Sequence, residues 1–265
     1  MASTPVNLDI TNITATSVRL RWVNALQALI TSLFGASEQG AIYIPRPIVN
    51  GEQALFQDSA GTVPVTADGD PVGRMIDQSG NGNHATQTVS GGRPVYRTDG
   101  VLHWLQPDGI DDSFEYPAST TSTSHTMSVA HSPDSITGIN SFLLDANGLA
   151  RVVFGHLGST YGKVGVFDGS WKEPDNANLG SQVVIYDLNG AQSDLGIYRN
   201  GSLLGSRLPY NPGAISPPAR IFSSHDETRF LYAGRFYGMA IIHNTIATSK
   251  RSDLNSYLEG LGGVA

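Results

Sequence analysis

From Gly40 to about residue 245 the chain keeps one texture, in which short apolar runs alternate with turns of Gly, Asn, Asp and Pro. Ala41-Ile-Tyr-Ile44, Met127-Ser-Val-Ala130, Phe142-Leu-Leu144 and Val152-Val-Phe154 are runs of this kind, and so are Val164-Gly-Val-Phe167, Val183-Val-Ile-Tyr186 and Gly196-Ile-Tyr198. Runs this short fit strands. With no long helical period between them, parallel βαβ units are excluded. The 30 Gly and 14 Pro supply the turns that such strands need and are too many for a helical bundle. In Arg199-Asn-Gly-Ser202 both central residues accept positive φ, the strongest local hairpin signal in the chain. The pattern predicts an all-β fold, an antiparallel sandwich or barrel, with residues 40–265 read as one sandwich. With 265 residues and no Cys, it must hold together by its core alone.

No fixed-period repeat or long linker divides residues 38–265, so they read as one domain. Residues 1–37 differ. Val6, Leu8 and Ile10 alternate, then Val18, Leu20 and Trp22, which predicts one hairpin. Leu26, Leu29, Ile30 and Leu33 then recur at helical spacing, with Asn24 placed to cap the start and Gly35 the end. A short helix packed on its own domain is one reading of that stripe. The sharper one is self-association, most simply a homotrimer, because the hairpin before it has no core of its own. A second helical period runs from Thr248 to Leu258, with Gly260 as its stop.

Charge and missing motifs exclude several functions. The net charge is −7, and of the 16 basic residues only Lys163, Lys172 and Lys250 are lysines, which disfavours a sequence-independent grip on nucleic acid. No apolar run approaches a membrane span, and no basic region followed by an apolar one marks a signal peptide. There is no Gly-x-Ser-x-Gly elbow, no His-Glu-x-x-His helix and no phosphate loop. The 7 His form no i, i+2 or i, i+4 pair.

Three segments share a recognisable order. The first holds Leu55-Phe-Gln-Asp-Ser-Ala-Gly-Thr-Val-Pro-Val65, Asp77-Gln-Ser-Gly-Asn-Gly-Asn-His-Ala-Thr86 and Arg93-Pro-Val-Tyr96. The second is Leu105-Gln-Pro-Asp-Gly-Ile-Asp-Asp-Ser-Phe114. The third joins Ile197-Tyr-Arg-Asn-Gly-Ser202 to Phe230-Leu-Tyr-Ala-Gly-Arg235, Gly238-Met-Ala-Ile-Ile242 and the closing helix. Over roughly residues 38–260 this order resembles the laminin-G-like branch of the concanavalin A-like lectin/glucanase superfamily, in the form carried by bacteriophage tail, fibre and head-decoration proteins. The resemblance implies a jelly roll displayed on a virion surface among other virion proteins.

Some proteins of that superfamily bind Ca²⁺ on the sandwich rim. Asp77, Asp111 and Asp112 have the hardness for it, with structural turns as the competing reading, since the Asp-x-Asp-x-Asp-Gly loop is absent. Its glucanases use paired carboxylates, usually Glu-x-Asp-x-x-Glu, a spacing missing here, so catalysis is not expected. For a glycan, Tyr161, Asp168, Trp171 and Asn176 combine stacking faces with hydroxyl-binding groups in one loop-rich stretch. The leading expectation is a non-enzymatic virion structural, decoration or fibre protein. The alternative is an adhesin recognising host surface glycan, and the third a polysaccharide depolymerase.

Overall fold

Apolar runs without polar alternation belong to strands buried on both faces, and the structure shows what covers each face. The computed structural model describes residues 15–134, 141–147, 153–157, 163–168, 170–172, 180–211, 213–224, 226 and 231–264. Within them the chain forms an all-β sandwich of two nine-stranded antiparallel sheets with a helix near each end.

The first sheet runs, in spatial order, through Ser202–Leu203, Asp194–Arg199, Gln182–Asn189, His125–Pro133, Gly234–Ile242, His103–Gln106 and Val95–Thr98. Gly40–Tyr43 pairs with Gly234–Ile242, and Leu208–Pro209 with Asp194–Arg199. The second runs through Trp171–Lys172, Lys163–Phe167, Val153–Leu157, Ser141–Asn147, Ser216–Ile221, Phe114–Tyr116, Ala85–Thr86, Arg74–Met75 and Leu55–Phe56. The Asn-Gly turn closes as expected, with φ of 46° at Asn200 and 77° at Gly201.

Alternation along the first sheet divides its side chains between two cores. Ala41, Tyr43, Met127, Val129, Val184, Tyr186, Met239 and Ile241 face the second sheet. Ile42, Ala130, Val183, Ile185, Ala240 and Ile242 face outward, where Leu254, Leu258 and Leu261 of the C-terminal helix cover them. That helix, α2, spans Thr248–Gly262, two residues past the expected stop at Gly260. It ends at Gly263, whose φ of 60° is the left-handed cap and whose N–H bonds to the Glu259 carbonyl.

The N-terminal helix departs from the sequence expectation. α1 spans Ala15–Phe34, so Val18, Leu20 and Trp22 lie in a helix, not in the second strand of a hairpin, and Asn24 is inside the helix instead of at its cap. The proposed first strand, Val6 to Ile10, lies outside the described residues. The helix does stop before Gly35, where a Cβ would come within 2.3 Å of the Thr31 carbonyl oxygen.

Leu26, Leu29 and Leu33 are buried in the same outer core as α2, with Ile30 packed half-buried against it. The stripe therefore packs within the chain, in one cluster with α2, and self-association through its buried residues would require pulling it off that cluster. Leu29→Ala is expected to lower folding stability by about 2–3 kcal/mol and leave the oligomeric state unchanged by light scattering. Dissociation of an oligomer would return the stripe to an interface between copies.

Candidate functional site

α2 packs on the first sheet with α1 against it, and no helix among the described residues packs on the outer face of the second sheet. Strand registers define a row across it. Phe56 pairs with Arg74, Arg74 with Thr86, Thr86 with Glu115, Glu115 with Arg220, and Arg220 with Asp145. Leu144 pairs with Phe154, which sets Asp145 in line with the backbone of Val153. Val153 pairs with Phe167, and Phe167 with Trp171. The row thus crosses the whole sheet, eight steps of about 4.8 Å or roughly 38 Å.

Burial shows which way these residues point. Leu55, Met75, Ala85, Phe114, Tyr116, Leu144 and Val166 are buried toward the first sheet, and their strand neighbours Phe56, Arg74, Thr86, Glu115, Asp145 and Phe167 take the other face. At the centre Arg220 Nη1 donates to Glu115 Oε2 at 2.8 Å, with the two side chains 15% and 48% exposed. Asp145 beside them is only 1% exposed, so the row is covered at this position. Arg74 Nη1 donates to the Ala60 carbonyl at 3.0 Å. At the far edge Trp171 is 38% exposed and meets Phe167 edge-on, with ring centroids 4.9 Å apart. The row has an aromatic group at each end and fixed charges between them.

Of the residues expected to bind glycan, Trp171 lies in this row, and Tyr161 and Asn176 fall outside the described residues. Asp168 is buried with its oxygens already engaged. Its Oδ2 accepts the Asn211 N–H at 2.7 Å and its Oδ1 accepts from Ser170 N and Oγ, each at 3.3 Å. Lys172 Nζ stands 3.8 Å from the same Oδ1. Asp168 is a strap that positions the edge strand carrying Trp171, which leaves it little capacity for a sugar hydroxyl.

The acids expected to hold calcium separate into two places. Asp111 and Asp112 gather with Asp108, with one oxygen from each lying within 4.8 Å of the others. Backbone hydrogen bonds shape this turn: Asp108 N–H donates to Asp112 Oδ2 at 2.9 Å, and Ile110 N–H to Asp108 Oδ1 at 2.7 Å. Burial above all, opposed by the hydrogen bond from Asp108 N–H and helped by the Asp108 and Asp111 charges, brings the Asp112 carboxyl up to about 6.

Asp77 is not part of that cluster. It is buried, and its carboxylate accepts four bonds, from Ile42 N–H at 3.0 Å, Ser79 N–H at 2.8 Å, Ser79 O–H at 2.8 Å and Asn83 N–H at 3.0 Å. Asn81 and Asn83 amides in the same loop donate to the Gly40 carbonyl at 3.1 and 2.8 Å, and Gln78 N–H to the Ile42 carbonyl at 2.9 Å. The Asp77–Asn83 loop thus caps the otherwise open edge of the Gly40–Tyr43 strand. That role accounts for its composition, and it places Asp77 in a structural turn instead of a calcium site.

Comparison with known proteins finds no matching family and no matching curated sequence. Solved structures do match in shape. Domain 4 of AbnA, a GH43 extracellular arabinanase from Geobacillus stearothermophilus, in complex with arabinotriose, has a TM-score of 0.51 and 13% identity over 68% of this chain and 91% of that one. A GH54 α-L-arabinofuranosidase gives 0.57 and 13% over 88% of this chain and 65% of that one. The sialidase of Trypanosoma rangeli gives 0.54 and 11% over 92% and 38%. The chain spans under two thirds of those last two proteins, and at these identities the likeness is one of fold. Among the described residues no helix is long and apolar enough to cross a membrane.

Proposed function

We propose that this chain is a glycan-binding β-sandwich domain, and that its site is the outer face of the second sheet between Phe56 and Trp171. The observation that carries this reading is the cross-strand row: a part-exposed Trp171 meeting Phe167 edge-on at one end, and the Arg220–Glu115 ion pair at its centre. Aromatic faces stack on sugar rings, and fixed charged groups bond hydroxyls. The shared fold with an arabinanase domain solved with arabinotriose supports the same direction.

Binding without hydrolysis is the form of this proposal. Glu115 and Asp145 sit on strands either side of the one carrying Arg220, and Glu115 is ion-paired to that arginine. The Glu-x-Asp-x-x-Glu spacing that supplies paired carboxylates in the superfamily's glucanases is missing from the sequence. The sequence resemblance to bacteriophage virion proteins supports display of the domain on a particle, where glycan binding would serve attachment to a host surface. Labelling intact particles with antibody against this chain tests that location.

A glycan array read with wild type and Trp171→Ala tests the site. Wild type is expected to bind at least one glycan, and the variant to lose about tenfold or more in affinity, roughly 1.4 kcal/mol. Its melting temperature should stay within about 2 °C of wild type, because the side chain is already part exposed. Unchanged binding by the variant would remove Trp171 from the site.

A further inference from the structure

We infer that Asn50 is a site of spontaneous modification, converting to aspartate and isoaspartate ahead of the other ranked asparagines that precede glycine, and that the fold makes the choice. The chain holds Asn-Gly pairs at Asn50, Asn81, Asn147, Asn189 and Asn200. A glycine leaves its backbone nitrogen open to approach by the preceding side chain. That nitrogen, giving up its proton, attacks the Asn Cγ. A new N–Cγ bond forms, the bond from Cγ to the side-chain nitrogen breaks, and ammonia leaves with the proton. Water then opens the resulting succinimide ring at either carbonyl. One opening gives aspartate and the other isoaspartate, in which the main chain runs through the side-chain carbon.

The dipeptide is the same at each place, so what differs is how firmly the reacting groups are held. Asn189 Oδ1 accepts the Gln192 N–H at 3.2 Å, and the attacking Gly190 N–H donates to Ser124 Oγ at 3.0 Å. A Cβ at Gly190 would lie 2.2 Å from Thr123 Oγ1, so that turn is also closely packed. Asn81 commits its amide to the carbonyls of Glu38 and Gly40, both at 3.1 Å. Asn200 Oδ1 accepts the Val183 N–H at 2.9 Å. Gly148 lies outside the described residues, and Asn147 is left out of the ranking.

Asn50 has none of these restraints. Asn50 and Gly51 are both exposed and form the turn between Ile48–Val49 and Glu52–Gln53, with φ of 53° and 88°. Among the described residues no hydrogen bond holds the Asn50 side chain, and a Cβ at Gly51 would meet no atom within 4 Å. The hairpin is a two-stranded sheet apart from both nine-stranded ones, so the turn can open for ring closure without breaking either ladder. Conversion adds a negative charge there, and isoaspartate lengthens a turn that pairs Val49 with Glu52.

The test holds the purified chain at mildly alkaline pH and physiological temperature and follows each Asn-Gly by peptide mapping with tandem mass spectrometry. An isoaspartyl methyltransferase scores isoaspartate in the same peptides. In the folded chain Asn50 should convert at least about fivefold faster than Asn81, Asn189 or Asn200, the scale of one lost hydrogen bond. In denaturing guanidinium chloride the four rates should converge to within about twofold, because the dipeptide then sets them. Conversion of any of the other three as fast as Asn50 in the folded chain would overturn the proposal. So would an Asn50 that stays intact while the denatured chain converts. The same ranking persisting in denaturant would overturn it too, since local sequence would then be choosing.

Discussion

Asp77→Ala is expected to cost about 4 kcal/mol of folding stability and to lower the melting temperature by about 8–16 °C. The substitution leaves four donors without their acceptor: the N–H groups of Ile42, Ser79 and Asn83 and the Ser79 hydroxyl. The first of these belongs to the Gly40–Tyr43 strand, which is packed on both faces, so water cannot replace the lost carboxylate without opening the edge. Asp77→Asn keeps the shape but turns one acceptor into a donor, and should fall between wild type and Ala. Thermal or urea unfolding of the three proteins checks the order. A loss under about 1 kcal/mol for Ala would mean that the Asn81 and Asn83 amides hold the loop without it.

Acid should destabilise the protein between about pH 6.5 and 4, and His243→Gln should remove most of that loss. His243 is buried at one end of the sandwich, where Tyr116 Oη lies 2.7 Å from its Nε2 and the His125 ring meets it edge-on at 5.7 Å. Burial first, and the neighbouring His125 second, together lower its pKa to about 4. The unfolded chain binds the proton near the ordinary value of about 6.5, so stability is full above that pH and falls as pH drops toward the folded value. The contribution is up to about 3 kcal/mol. Burial lowers the His125 pKa as well, adding a loss of the same sign. Asp112 works against both. Its raised carboxyl pKa of about 6 means that its contribution is present at low pH and disappears as pH rises through that value. Asp112→Asn should therefore steepen the acid loss while stabilising the protein by about 1 kcal/mol at pH 7.5, the figure being reduced for solvent screening. Unfolding of wild type and both variants measured from pH 4 to 8 separates the two residues, and a profile that neither substitution changes would contradict both assignments.

Much of the fold can be read from residues close together in the chain. Val183-Val-Ile-Tyr186 and Gly238–Ile242 are apolar at every position because the helices cover one face of their sheet and the second sheet covers the other. Asn200-Gly201 shows its turn through backbone chemistry alone. The N-terminal helix misleads for a definite reason. Val18, Leu20 and Trp22 alternate, yet Val18, Trp22, Leu26, Leu29 and Leu33 also follow helical period, and the longer period prevails over twenty residues.

The site is less legible because it is assembled from nine strands between residues 55 and 221. Trp171 can be picked out as an aromatic in polar company. Glu115 and Arg220 leave only a faint trace, one charge between apolar neighbours in Phe114-Glu115-Tyr116 and in Ala219-Arg220-Ile221. Nothing local says that the two strands are neighbours, and register alone brings them together. Asp77 shows the reverse. Its acidic, glycine-rich loop has the composition of a metal site, and only the hydrogen bonds reveal an edge cap.

Nuclear magnetic resonance titration of the labelled protein with the tightest-binding oligosaccharide from the array addresses the proposed face most directly. Shift changes should gather on the Trp171 indole N–H and on the amides of Thr86, Glu115 and Arg220, leaving Leu254 and Leu258 of α2 unmoved. Changes confined to α1 and α2 would contradict the account.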